Sequence, residues 1–335
     1  MAHDEPRDVP TEQAAATAVV LGATGFVGRH ICTAFEAGGT RVLRVARGGA
    51  RAGGGPVTAV DLLAASPARI ARLLDRAGAD VVVNAAGAVW GTTEAQMHQA
   101  NAELPRRIVE ALGLLPTRPR LIHLGSVHEY GPTPSGARIA EDLSPAPVGP
   151  YGTSKLLGAR AVLEAAHTGR VDGLVLRIAN VSGPGAPPGS LLGTVAAHLA
   201  TALARPGRPA PPLRLAPLRA RRDFVDARDV ADAVVAAAHA DAHGHVINIG
   251  SGQAVPVRLL TSRLIELSGL PVAVVEEAVG AAPRGGTGGR SDAEWQQLDI
   301  SRAARLLDWR PRRTLDQSLR DLLTEAAREC AALAG

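Results

Sequence analysis

A glycine-rich turn near the amino terminus, directly after a short apolar run, constrains this chain more than any other feature. Gly22, Gly25 and Gly28 stand at intervals of three between the apolar run 18–21 and a helical pattern that covers 26–37. Glycines at this spacing let the backbone turn tightly and approach a diphosphate, while the helix start offers N–H groups and partial positive charge. The turn predicts dinucleotide binding by Gly22, Thr24, Gly25, Phe26, Val27 and Gly28.

Apolar runs alternate with helical patterns from Thr17 to about Asn180. The strand-like runs lie at 18–21, 41–46, 81–84, 121–124 and 174–177. Strands buried on both faces are apolar throughout, and strands separated by helices pair in parallel. The pattern predicts an α/β fold with a Rossmann-type, doubly wound parallel sheet.

Glycine- and proline-rich stretches after Asn180 indicate a division of the chain. We expect a cofactor-binding domain from residues 17–180 together with about 225–252. A smaller carboxy-terminal substrate-binding domain is expected from about 181–224 together with 253–330. The polar, acidic stretch 1–16 is typical of a disordered tail rather than of a signal peptide.

Charge and composition argue against several classes of partner. The net charge is +4, but the arginines are scattered and only 2% of the residues are aromatic, so nucleic-acid binding is not expected. No apolar run reaches the roughly 18 residues of a membrane span. Cys32 and Cys330 stand alone, and His123 and His128 lack a third ligand, so no metal site is predicted. We expect a cytoplasmic protein without a membrane partner.

Tyr151 and Lys155 lie four residues apart at the start of a helical pattern that follows Pro150. This spacing places both side chains on one face of a helix. A tyrosine normally titrates at about pH 10, and a nearby ammonium stabilises its phenolate. The pair predicts an acid–base group, in which Lys155 is expected to lower the pKa of Tyr151 into the working range.

Three ordered motifs resemble the extended branch of the short-chain dehydrogenase/reductase superfamily, the NAD-dependent epimerase/dehydratase family. They are the glycine turn, Ser126 four residues before Tyr130-Gly131, and the Tyr151–Lys155 pair. The resemblance spans about Val19 to Leu323. It implies that Tyr151 exchanges a proton with the substrate oxygen, that Ser126 hydrogen-bonds that oxygen, and that Lys155 holds the nicotinamide ribose. A Ser126 that only caps a strand end is the alternative.

The choice of nicotinamide cofactor depends on the end of the second strand. NAD-binding proteins of this fold carry an acid there for the ribose diol, but this chain has Ala46 followed by Arg47. A guanidinium pairs with a 2′-phosphate, so NADP(H) is favoured over NAD(H) unless Arg47 is a solvated loop residue. The resemblance adds cofactor contacts by Asp61, Leu62, Ala85, Ala86, Gly87, Asn101, Lys155 and Ile178, with a purely structural role for Asn101 as the alternative.

Segments beyond the predicted sheet resemble the parts of the family that bind a nucleotide sugar. The implied substrate contacts are Ser126, His128, Tyr151, Asn180, Arg222 and Arg290. Of these, Asn180 and the two arginines would contact the diphosphate. The resemblance also implies a homodimer built through the helix of the Tyr-Lys pair and the helix at about Glu94 to Leu112.

Residues 127 and 128 bear on the reaction. The family's 4,6-dehydratases carry an Asp-Glu pair directly after the Ser/Thr, whereas this chain has Val127 and His128, which removes the acid–base pair for dehydration. Arg47 favours a dissociable NADPH and therefore net reduction. The hypothesis is a 4-ketoreductase of an NDP-, above all a dTDP-, 4-keto-6-deoxyhexose, as in deoxysugar and antibiotic biosynthesis. An NDP-sugar 4-epimerase with tightly bound NAD and a non-catalytic NADP(H)-sensing scaffold stay open.

Overall fold

The structure is a computed structural model that describes residues 16–48, 55–89, 91–277 and 294–334. The strands, in chain order, are β1 Thr17–Leu21, β2 Arg41–Ala46, β3 Val57–Ala59, β4 Val81–Asn84, β5 Arg120–Ser126, β6 Asp172–Ile178, β7 Asn180–Ser182, β8 Leu213–Leu215, β9 Arg221–Asp226, β10 Val246–Ile249, β11 Ala254–Pro256 and β12 Val274–Glu276. The α-helices are α1 Phe26–Ala37, α2 Pro67–Ala77, α3 Glu94–His98, α4 Leu104–Leu112, α5 Gly149–His167, α6 Leu191–Leu203, α7 Ala227–His239, α8 Val257–Ser268, α9 Ser301–Leu307 and α10 Leu315–Ala334. The expected tail falls almost entirely at positions 1–15, outside the described residues.

Seven strands of the described chain form one parallel sheet in the order β3-β2-β1-β4-β5-β6-β10. The chain first moves outward from β1 to β3 and then returns to the other side of β1. Such a reversal opens a crevice at the carboxyl ends of β1 and β4, where ligands bind in doubly wound sheets. The predicted α/β fold with a Rossmann-type sheet is confirmed.

Helices cover both faces of this sheet and bury its apolar strands. One core packs β1, β5 and β6 against α1, α7 and α9, and its largest side chains include Phe35 and Trp309. The opposite core packs the same sheet against α2, α4 and α5. Every residue of β1 and β4 is buried, which is why these strands show no polar alternation.

A third core lies apart from the sheet, among residues that follow β6 in the chain. It joins α6, α8 and α10 with leucines of β8. Two small sheets accompany it, one of β11, β9 and β7 and one of β12 and β8. This smaller body is the part of the fold in which the sequence places substrate binding.

Candidate active site

A cavity of about 940 Å³ lies between the carboxyl ends of the sheet strands and the smaller body. The sequence-predicted site residues that line it are Gly25, Phe26, Val27, Ala85, Ala86, Gly87, Asn101, Ser126, His128, Tyr151, Lys155, Ile178, Asn180 and Arg222. The structure therefore brings the candidate cofactor, catalytic and substrate residues to one space.

The glycine turn forms the floor of one end of the cavity. A Cβ at Gly22 would lie 2.7 Å from the backbone nitrogen of Ala86, and Gly22 has a φ of +83°. A Cβ at Gly28 would lie 2.1 Å from the carbonyl oxygen of Gly22. These two glycines are needed because β1, β4 and α1 meet there without room for side chains, so they shape the turn from beneath rather than line the cavity.

The start of α1 is suited to an anion. Its N-cap is Gly25, which supplies no side-chain hydrogen bond, and its first turn carries no acidic residue. Gly25, Phe26 and Val27 line the cavity, so the uncapped N–H groups of this turn lie beside it. An uncapped helix start has the charge and donors that a diphosphate requires, and this fits a dinucleotide.

Ser126, Tyr151 and Lys155 come from two elements. Ser126 ends β5, and Tyr151 and Lys155 lie on the first two turns of α5. The Ser126 hydroxyl accepts a hydrogen bond from the His128 N–H at 3.3 Å, and it lies close enough to the Tyr151 hydroxyl to lower the pKa of that phenol. Lys155 is buried, and its Nζ donates to the Leu124 carbonyl. The three side chains share one wall of the cavity.

The pKa of Tyr151 differs from the expectation. Burial raises the pKa of Tyr151 above its usual value, Ser126 lowers it in part, and the carboxylate of Glu129 raises it further. Burial also lowers the pKa of Lys155 to about 8, against an opposing effect of Glu129. The predicted lowering of the Tyr151 pKa is thus wrong for this structure, because desolvation of the phenol dominates. Tyr151 is a neutral phenol at neutral pH and can donate a proton.

Asn101 lies in a wide helical turn that the sequence pattern did not indicate. The expected continuous helix from Glu94 is interrupted by a π-turn at Gln99–Glu103. Pro105 contributes to this interruption, because it has no N–H to bond the Asn101 carbonyl four residues earlier. The Asn101 amide bonds both backbone groups of Ala88 and the Ser154 hydroxyl. Asn101 therefore ties the loop after β4 to α5, while its side chain also lines the cavity.

Some predicted cofactor residues are not among those that line the cavity. Thr24 and Arg47 are exposed, Leu62 is buried, and the exposed Asp61 bonds the Leu63 N–H through its carboxylate. The Val45 carbonyl accepts from the N–H groups of Gly22 and Ala23, which places the end of β2 against the glycine turn.

The candidate substrate residues His128, Asn180 and Arg222 also line the cavity. The His128 ring meets the Tyr151 ring edge-on with centroids 5.6 Å apart. Burial and, less strongly, the Arg222 charge lower the pKa of His128 to about 4, so its imidazole is neutral. Arg290 lies outside the described residues.

The sequence predicts that Asn180 contacts the diphosphate, but its amide N–H groups already have partners within the protein. Its Nδ2 already donates to the Asp223 carbonyl at 3.0 Å and to the Gln296 Oε1 at 2.9 Å. The side chain therefore presents its Oδ1, an acceptor, which cannot hydrogen-bond a phosphate oxygen. Its bond to Asp223 holds the strand that carries Arg222.

Sequence reasoning did not single out Arg219 or Glu129. Arg219 lines the cavity, and no motif marks it. Glu129 is fully buried behind Ser126. A signal for Glu129 was present, because Ser126 and Glu129 have the spacing of a capping box, in which the acid bonds the N–H of the residue three positions earlier.

Within the described ranges, no group of three or more His, Cys, Asp or Glu side chains could hold a metal ion. No helix in that same part of the chain is long and apolar enough to cross a membrane.

Comparison with known proteins places this geometry in a family. Residues 18–250 match the model of the NAD dependent epimerase/dehydratase family. This chain belongs to that family. The predicted family is confirmed.

Individual relatives share both sequence and shape with the chain. The dTDP-6-deoxy-L-talose 4-dehydrogenase (NAD(P)(+)) of Kitasatospora kifunensis is 46% identical over 312 residues, 93% of this chain and 96% of that protein. The GDP-6-deoxy-D-mannose reductase of Pseudomonas aeruginosa is 28% identical over 208 residues, 61% of this chain and 64% of that protein. The structure of RMD from Pseudomonas aeruginosa complexed with NADPH superposes with a TM-score of 0.78 at 24% identity, covering 94% of this chain and 100% of that one.

Proposed function

We propose that this protein reduces the 4-keto group of a dTDP-4-keto-6-deoxyhexose with NADPH. The observation that carries the proposal is the neutral phenol of Tyr151, which lines one cavity together with Ser126, Lys155 and Arg222. A reduction needs a proton donor at the substrate oxygen, and a neutral phenol is one. The relative from Kitasatospora kifunensis supports the substrate class, since a 4-dehydrogenase and a 4-ketoreductase run one hydride transfer in opposite directions.

Four side chains of the protein would bind the reactants or take part in proton transfer. NADPH, when bound at the glycine turn and the start of α1, supplies the hydride. Ser126 hydrogen-bonds the carbonyl oxygen, and Tyr151 protonates that oxygen as negative charge develops on it. Lys155 holds the nicotinamide ribose, and Arg222 pairs with the diphosphate of the nucleotide sugar.

Dehydration is disfavoured by the chemistry of the cavity wall. Val127 is buried and His128 is a neutral imidazole. Among the described lining residues, Glu294 is the one carboxylate, and it is exposed. The wall next to Ser126 therefore lacks the paired acids that elimination of water requires.

The test of this function is cofactor consumption. The purified protein is incubated with NADPH and a panel of dTDP-4-keto-6-deoxyhexoses, and absorbance of the reduced nicotinamide is followed. We expect stoichiometric oxidation of NADPH with at least one sugar. Epimers that interconvert without cofactor consumption by a protein that purifies with NAD would establish the epimerase. NADPH binding with no turnover of any sugar would establish the scaffold.

Arg47 is the basis for preferring NADPH. It stands two residues past Val45, whose carbonyl holds the glycine turn, so an adenosine ribose bound there lies within its reach. Loss of a charge-assisted bond to a 2′-phosphate costs about 1.5–3 kcal/mol. Arg47→Ala should therefore raise KM for NADPH about tenfold or more and leave KM for NADH unchanged. Arg69→Ala, an exposed arginine of α2, is the matched control, and equal changes for both cofactors would remove Arg47 from the argument.

Homodimerisation is also proposed, through α5 and the helices from Glu94 to Leu112. Leu157 of α5 is 41% exposed on this surface. A second copy of the chain would cover it.

A further inference from the structure

Glu129 is a fully buried carboxylate directly behind Ser126. Its Oε1 accepts the Ser126 N–H at 2.7 Å, and its Oε2 accepts from the Arg177 Nε at 2.7 Å. The side chains of Glu129 and Arg177 are 0% and 4% exposed, respectively. The carboxylate therefore joins the backbone of a candidate catalytic residue to a buried cation on β6.

The surrounding residues are arranged to admit this pair. A Cβ at Gly125 would lie 2.6 Å from the Glu129 Oε1, so only glycine leaves room for the carboxylate. The Arg177 guanidinium lies 4.4 Å from the centre of the Tyr130 ring, and the Tyr130 hydroxyl donates to the Asn248 Oδ1 at 2.8 Å. The turn after β5 and the strands β6 and β10 thus contribute side chains to one closed arrangement.

Stability alone is a weak reason for such a pair. Removing two charges from water is costly, and apolar replacements of buried ion pairs are often neutral or stabilising. The position of the pair suggests another reason, since the group that Glu129 holds is the backbone of Ser126. The Ser126 hydroxyl in turn lines the cavity with Tyr151 and lowers the pKa of its phenol.

We propose that Glu129 is a positioning residue for the reduction: anchored by Arg177, its carboxylate fixes the backbone of Ser126 and so aims the Ser126 hydroxyl at Tyr151 and at the substrate oxygen. This inference rests on the proposed function for its kinetic consequence. Its electrostatic consequence can be measured without any substrate.

The negative charge of Glu129 also acts on the proton of Tyr151. The groups that face Tyr151 are Ser126 on β5, Lys155 on its own helix, His128 and Glu129 on the turn after β5, and Arg222 beyond His128. His128 is neutral, and Glu129 raises the pKa of both Tyr151 and Lys155. Glu129 therefore favours the protonated forms of the phenol and of the amine.

The first test titrates Tyr151 directly. The chain contains two tyrosines, so in a Tyr130→Phe background the phenolate absorbance reports Tyr151 alone. Glu129→Gln should lower the pKa of Tyr151 by roughly half to one pH unit, because the anion that raised it is gone. The matched control is Glu141→Gln, since Glu141 is also a buried carboxylate that accepts a backbone N–H, from Asn248, and faces an arginine, Arg302. The control should leave the Tyr151 titration unchanged.

The second test measures turnover. Glu129→Gln should lower kcat for NADPH-driven reduction about tenfold or more, with the Kd of NADPH unchanged. A double variant, Glu129→Gln with Arg177→Met, leaves no unpaired buried charge, so it should regain thermal stability while kcat stays low. A merely structural Glu129 would instead regain kcat together with stability.

An unchanged Tyr151 titration in Glu129→Gln, or an equal shift in Glu141→Gln, overturns the inference. So does a wild-type kcat in Glu129→Gln. If the wild-type protein reduces no sugar, the proposed function fails, and the titration still decides whether Glu129 controls Tyr151.

Discussion

At the scale of single residues, the proposed reduction depends on the proton of Tyr151. Burial raises the pKa of the phenol, and Lys155 directs its ammonium at the Leu124 carbonyl while its own pKa falls to about 8. A neutral phenol donates a proton to a carbonyl oxygen that receives hydride, whereas oxidation of an alcohol needs the phenolate. At neutral pH Tyr151 can therefore donate the proton that the proposed reduction requires.

The pH dependence of reduction follows from these two groups. Both must hold their protons, and Lys155 loses its proton at about pH 8. We expect kcat/KM for reduction to be level through neutral pH and to fall above about pH 8. A rate that rises with pH through neutrality would show that a deprotonated group is required and would contradict this assignment.

Tyr151→Phe removes the proton donor and leaves the ring. We expect kcat to fall about 10²–10⁴-fold with little change in the Kd of NADPH. Tyr130→Phe is the matched control, since Tyr130 is the chain's other tyrosine and its hydroxyl bonds Asn248 away from the cavity. Normal turnover by Tyr151→Phe would remove this residue from the mechanism.

At the scale of elements, the sequence predicts individual strands and helices but misses some of the long-range contacts that connect them. The runs at β1, β2 and β4 and the helix α1 were predictable because a buried strand is a short continuous apolar run and an amphipathic helix repeats its apolar residues at helical spacing. The π-turn at Asn101 was not, because it depends on contacts with Ala88 and Ser154, which are distant in the chain. The Tyr151 pKa was missed for the same reason, since burial is a property of the assembled wall.

Gly28 shows how tightly α1 meets β1. A methyl group at Gly28 would overlap the Gly22 carbonyl oxygen, 2.1 Å away, so α1 would have to move off the strand. We expect Gly28→Ala to lower the free energy of unfolding by about 1–3 kcal/mol and to weaken NADPH binding. Calorimetry and fluorescence titration measure both quantities.

The control for Gly28 is Gly38→Ala at the other end of α1. A Cβ there would meet the Phe35 carbonyl oxygen at an ordinary 3.4 Å. The change should stay within about 0.5 kcal/mol and should not alter NADPH affinity. Similar losses of unfolding free energy and of NADPH affinity in both variants would mean that the close approach at Gly28 does not shape the glycine turn.

At the scale of the whole molecule, the cavity lies where a cofactor-type sheet and a separate smaller core meet. The sheet and its covering helices supply the glycine turn, Ser126 and the Tyr151–Lys155 pair. Strand β9 supplies Arg222 and Phe224. The residues that sequence motifs predicted converge here because parallel strands end at one edge. Arg219 and Glu129 join them through tertiary packing, which no local spacing encodes.

The proposed function requires net hydride transfer from NADPH to the sugar. Transfer of deuterium from labelled NADPH tests this most directly. The protein is incubated with NADPH deuterated at the transferable C4 position of the nicotinamide and with a dTDP-4-keto-6-deoxyhexose. We predict one deuterium per product molecule, at C4 of the sugar, with equimolar NADP formed. A product without deuterium at C4, or an epimerised sugar with no NADP formed, would contradict the account.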